Sequence, residues 1–130
     1  MAKVRFGRDA NIILVDVFIK NLNRQKIVRM ALDTGATYTM IPWEVADSLG
    51  LQPELTREKI ETVTASGVEM VPIVDLPVVA VGSSEARNIR AIIHDLPTRS
   101  FVDGLLGLSF LRHFNLNVDF EEGFFELIKT

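Results

Sequence analysis

Cysteine is absent from the 130-residue chain, which excludes disulfides, thiolate metal sites and cysteine nucleophiles. Histidine is scarce. The two present, His94 and His113, share no metal-ligand spacing, so neither a metal nor any other cofactor is expected. Long apolar runs are missing as well. A membrane span needs ~20 mostly apolar residues. The best candidate, Ile12 to Ile19, is shorter and carries Asp16. Lys3, Arg5 and Arg8 imitate the basic start of a signal peptide, but no small-residue cleavage site follows. The expectation is a cytoplasmic protein with no membrane partner.

Charge of one sign is also in short supply. The net charge is −3, which gives no case for nucleic-acid binding. The distribution is uneven: residues 1–30 carry seven Lys/Arg against Asp9 and Asp16, and the remainder is acidic. A basic N-terminal arm could meet an acidic partner or a second copy. The plainer reading is the solvated face of a hairpin.

What is present is a hydrophobic fraction of 48%, enough for a core, in a length that suits one domain over residues 1–130. Gly and Pro fall singly and evenly, as in all-β domains with frequent turns. Asn11 to Lys20 reads as a strand, Asn21-Leu22-Asn23 as a turn and Gln25 to Leu32 as the returning strand. Ile60 to Ala65 and Val68 to Val74 flank Ser66-Gly67, a two-residue hairpin signal. Leu76 to Val81 and Asn88 to His94 form another hairpin, and Leu116 to Phe120 with Phe124 to Ile128 a last one. Two short helices interrupt the strands. Pro42 to Leu49 has Pro at its start and Gly50 just past its end, and Ser109 to Phe114 is the second.

The strongest local signal is Ala31-Leu32-Asp33-Thr34-Gly35-Ala36-Thr37. A carboxylate directly follows an apolar strand, and the small residues after it let backbone N–H groups turn toward it. An Asx-turn, with Asp33 capping its own loop, is the structural alternative. About seventy residues later Leu105-Leu106-Gly107 is again followed by a helix. Other chemistries find no support. There is no Gly-x-Ser-x-Gly elbow and no Walker-type phosphate loop, and Leu32 to Met40 has neither a lysine nor a further acidic residue for phosphoryl transfer. Trp43 and Tyr38 read as packing residues. Phe110, Phe114, Phe120, Phe124 and Phe125 read as core and subunit interface.

In this order the motifs resemble the retropepsin-like aspartic proteases, the family of retroviral proteases and their cellular and bacterial relatives, over roughly Ile12 to Ile128. The resemblance implies an all-β, retropepsin-like acid protease fold: a small closed barrel with two short helices, acting as a homodimer. It implies that Asp33 is the catalytic aspartate. Thr34 would bond across the subunit boundary, and Gly35, Ala36 and Thr37 would complete the active-site loop. Retroviral members often carry Asp where this chain has Thr37. The hairpin Thr64-Ala65-Ser66-Gly67 matches the flap that covers a bound peptide, and Leu105, Leu106 and Gly107 match the apolar-apolar-Gly loop. Aspartic protease chemistry needs two carboxylates, and the chain has a single Asp-Thr-Gly. The expected partners are therefore a second copy of the chain and a peptide or unfolded-protein substrate. The rival expectation is a non-catalytic dimerisation or peptide-binding module with the same fold.

Overall fold

A computed structural model describes residues 1–64, 66–97 and 100–130, with Thr64 described in its backbone only. The strands are β1 (Ala2–Arg5), β2 (Leu14–Asn21), β3 (Arg24–Leu32), β4 (Thr39–Ile41), β5 (Lys59–Thr64), β6 (Gly67–Val81), β7 (Ser84–Ile93), β8 (Gly104–Leu106), β9 (Phe114–Asp119) and β10 (Phe124–Lys129). Helix α1 (Trp43–Ser48) and the single turn α2 (Leu108–Leu111) complete the fold with a 3₁₀ turn at Pro53–Leu55. Among the described residues no helix is long and apolar enough to cross a membrane.

Alternation builds the first hairpin. Val15, Val17 and Ile19 point inward from β2 and face Val28 and Met30 of β3, while Asp16 and Arg29 face solvent. The sheet then runs β2-β3-β8-β4-β7-β6, and β6 returns to β2 through Phe18↔Ala80 and Lys20↔Val78, closing a six-stranded barrel. Two joints are parallel, β3 with β8 and β4 with β7. Leu76, Ile89, Ile93, Leu106 and Phe110 fill the interior at 0% exposure. A second sheet, β1-β10-β9, lays Phe125 and Leu127 onto the same core.

Several expected boundaries shift. The strands expected at Val68 to Val74 and Leu76 to Val81 are one continuous β6, because it changes partner along its length. It pairs with β5 up to Pro72 and with β7 from Ile73 onward. The helix expected at Ser109 to Phe114 is only Leu108–Leu111, since Phe114 already pairs with Lys129 in β9. Helix α1 matches closely, with Pro42 as N-cap and Gly50 at φ 70 just past the end. Strands β1, β4 and β8 are additions to the expected set.

The charge of the N-terminal arm is solvated. Lys3 and Arg5 stand outward on β1, and the Lys3 ammonium lies 4.1 Å from the Phe124 ring centre. Phe110, Phe114 and Phe125 are core, but Phe120 is 67% exposed.

Candidate active site

Asp33 stands where β3 leaves the barrel. Its N–H donates to the Leu106 carbonyl at 3.0 Å, so the end of β3 is pinned to the Leu-Leu-Gly strand β8. The Gly35 N–H donates to Asp33 Oδ1 at 2.9 Å, and the Ala36 N–H donates to the Asp33 carbonyl at 3.2 Å. The Asx-turn is thus present, and it fixes the half-buried carboxylate rather than hiding it. A Cβ on Gly35 would lie 3.2 Å from Oδ1, so the glycine keeps that oxygen approachable. Thr34 and Thr37 are exposed and Ala36 is half-buried.

The loop is strapped to the second motif. The Ala36 carbonyl accepts from Leu108 N–H at 2.8 Å, and the Thr37 carbonyl accepts from Ser109 N–H at 3.0 Å. Gly107 is where the two segments touch. A Cβ there would lie 2.7 Å from the Ala36 oxygen and 2.6 Å from the Tyr38 oxygen. Thr39 and Ser109 were not among the expected site residues, yet they tie the junction together. Thr39 is fully buried; its N–H donates to Ser109 Oγ at 2.9 Å, and its Oγ1 accepts from Gly107 N–H at 3.3 Å. The two hydroxyls are 3.0 Å apart. A polar residue inside the apolar run Thr39-Met40-Ile41 is the signal that could have found it.

Two cavities flank the Asp33 loop. One, of about 740 Å³, lies under the β5–β6 hairpin and is lined by Gly35, Ala36 and Thr37 on one side and by Thr62, Ser66 and Glu69 on the other. The other, of about 660 Å³, is lined by Asp33, Leu32, Ile12 and Phe101. Leu96 and Leu105 line both. Of the expected flap residues, Ser66 reaches the first cavity, and Gly67 opens β6 at φ 115 opposite Thr64. Ala65 lies outside the described residues. Leu105 faces the cavities while Leu106 is buried, so the two leucines have different jobs. Tyr38, read from the sequence as packing rather than substrate contact, lines the first cavity. Trp43 packs partly against the main core, and its N–H donates to Asp95 Oδ1 at 3.0 Å. Among the described residues no three His, Asp or Glu side chains are grouped as metal ligands.

Asp33 thus lines one cavity, while its glycine turn, through Gly35 to Thr37, lines the other beneath the β5–β6 hairpin. The family described as "gag-polyprotein putative aspartyl protease" matches residues 20–113, and the chain belongs to that family, which is retropepsin-like. A crystal structure of a retropepsin-like aspartic protease from Rickettsia conorii superposes with a TM-score of 0.73 at 22% identity, over 97% of this chain and 88% of that one. No curated protein sequence matches the chain. The family is one of putative aspartyl proteases, and the structural likeness shows the fold.

Proposed function

We propose that the protein is an aspartic endopeptidase that works as a homodimer, with Asp33 of each copy forming one dyad. The observation that supports this reading is that Asp33, the carboxylate of the only Asp-Thr-Gly, lines one cavity while the loop that follows it lines the other, with one oxygen held by Gly35 N–H. One carboxylate is half of the required machinery. Two brought together on a symmetry axis cannot both ionise cheaply, so they hold one proton between them. The ionised member takes a proton from water as the water oxygen attacks the peptide carbonyl carbon. The neutral member donates to the carbonyl oxygen, and the leaving amine is protonated as the C–N bond breaks. Thr34, exposed beside Asp33, would reach the second copy and brace the two loops. Ser66 and Gly67, at the hairpin tip, would close over the bound peptide backbone. The expected substrate is an extended peptide or an unfolded protein, and no cofactor takes part.

The test is cleavage of an unfolded protein by wild type and by Asp33→Asn, with the mass of each followed by light scattering across a dilution series. Asn is nearly isosteric and cannot act as the base. The expected result is a dimer in both, proteolysis in wild type only, and activity that falls as the dimer dissociates. Proteolysis by Asp33→Asn, or full activity in a monomer, overturns the proposal. Peptide binding without cleavage in wild type would leave a binding module instead.

A further inference from the structure

The cavity under the hairpin has an apolar floor and one inward-facing carboxylate. Met40, Val71 and Ile92 form part of a small buried cluster against which Tyr38, Ile60 and Leu105 pack. Glu69 stands beside this floor on β6, with Oε2 3.8 Å from His94 Nδ1 and a side chain still 41% exposed. The other two carboxylates on the lining are placed differently. Asp95 is engaged with the Trp43 N–H, and Glu61 is opposite Met70 on the exposed face of the hairpin. No Lys or Arg is among the described lining residues.

Strand geometry converts this into a spacing rule. Glu69 and Val71 are two apart on β6, so they share a face and sit roughly 6.6 Å from each other. Their cross-strand partners, Thr62 and Ile60, repeat the pattern, polar then apolar. An extended peptide has the same two-residue repeat. If such a peptide lies along β6 with one side chain on the apolar floor by Val71, the side chain two residues away comes to Glu69. A Lys or Arg there gains an opposite charge in a site with no described Lys or Arg on its lining, and an acidic residue is repelled.

We propose that Glu69 is a specificity-determining residue that selects a basic side chain two positions from an apolar side chain held on the Met40–Val71–Ile92 floor. The inference rests on the peptide-cleaving reading above and adds the class of sequence that the cleft prefers.

The experiment uses peptides identical except for Lys, Gln or Glu two positions before, or two positions after, a fixed apolar residue, and reads kcat/KM for wild type, Glu69→Gln and Glu69→Lys. For wild type the expected order is Lys, then Gln, then Glu, at one of the two positions, with steps of about fivefold for a partly exposed charge pair. Glu69→Gln should level the three, and Glu69→Lys should reverse their order. The wild-type preference should shrink in 1 M salt, where screening acts over about 3 Å. A purely structural role for Glu69 would instead lower all three rates together. Equal rates in wild type, or a Lys preference that survives in Glu69→Lys, overturns the inference. Binding of the same peptides to Asp33→Asn, followed by fluorescence anisotropy, separates this from the endopeptidase reading. Lys-selective binding that disappears on adding Glu69→Gln, with no cleavage by wild type, would keep the role of Glu69 and remove the protease. Equal binding of all three would remove the role of Glu69.

Discussion

Gly107→Ala should destabilise the fold by an amount that can be argued from the contacts alone. Gly107 has φ −101 and ψ −171, an extended conformation open to any residue, so alanine meets no backbone penalty there. The cost is steric. The added methyl would lie 2.6 Å from the Tyr38 oxygen, 2.7 Å from the Ala36 oxygen and 2.8 Å from the Tyr38 carbonyl carbon. All three are backbone atoms, and the Ala36 oxygen already accepts a 2.8 Å bond from Leu108 N–H, so it cannot retreat without breaking the strap on the Asp33 loop. Overpacking of this kind costs about 1–3 kcal/mol. The smaller unfolded-state entropy of alanine gives back about 0.4–1 kcal/mol. With three fixed atoms crowded together the net loss should be near 2 kcal/mol, a large share of the ~5–15 kcal/mol that holds a domain folded.

Urea unfolding at one fixed protein concentration measures this, because the stability of the proposed dimer would depend on concentration. With m of about 1–3 kcal/mol/M, the midpoint should fall by roughly 1 M. Gly7→Ala is the control. Its nearest neighbour would be Ala10 Cβ at 3.6 Å, and it should stay within about 0.5 kcal/mol of wild type. A Gly107→Ala midpoint equal to that of Gly7→Ala would refute the claim that these carbonyls are fixed.

Three further outcomes are expected. Thr39→Val removes the acceptor of Gly107 N–H and strands a buried donor, so urea unfolding should show a loss of about 1–3 kcal/mol, whereas Thr39→Ser should recover most of it. Arg90→Gln breaks ion pairs to Asp75 and Glu58 on a side chain 37% exposed, and should change stability by less than about 1 kcal/mol in the same assay. Mixed dimers of wild type with Asp33→Asn, isolated with two affinity tags, should be nearly inactive, since the proposed site needs a carboxylate from each copy.

What the sequence disclosed depended on how local the signal was. The β2–β3 hairpin, helix α1 and the Asp33 turn are written in residues a few positions apart, by alternation, by Pro42 and Gly50, and by the small residues after Asp33. Strands β4 and β8 escaped because each has three residues and exists only through partners far along the chain. Met40 meets Leu105, and Met30 meets Gly104. A side chain at Gly104 would strike the Met40 carbonyl as the strands cross. Strand β1 escaped for the same reason, since four residues with Lys3 and Arg5 among them become a strand only by lying against β10. The Asp33 loop was legible in sequence. The Thr39–Ser109 tie was not, because its members are 70 residues apart.

That division between local and distant contacts also separates what the site does from what tunes it. The position of Asp33 is set by bonds to Leu106, and through its loop to Leu108 and Ser109, so it forms only when the barrel closes. Changes that disturb it should cost folding as well as chemistry. Glu69 is held differently. It lies on a hairpin where Thr62 pairs with Glu69 and Val63 with Val68, and Val63 and Val68 are 82% and 62% exposed. Segments with few buried contacts open at lower free energy than core strands. Residues on the hairpin can therefore change with little loss of fold stability. In this chain the carboxylate proposed for chemistry is built into a junction of the barrel, and the carboxylate proposed for selection is carried on a hairpin with exposed outer residues.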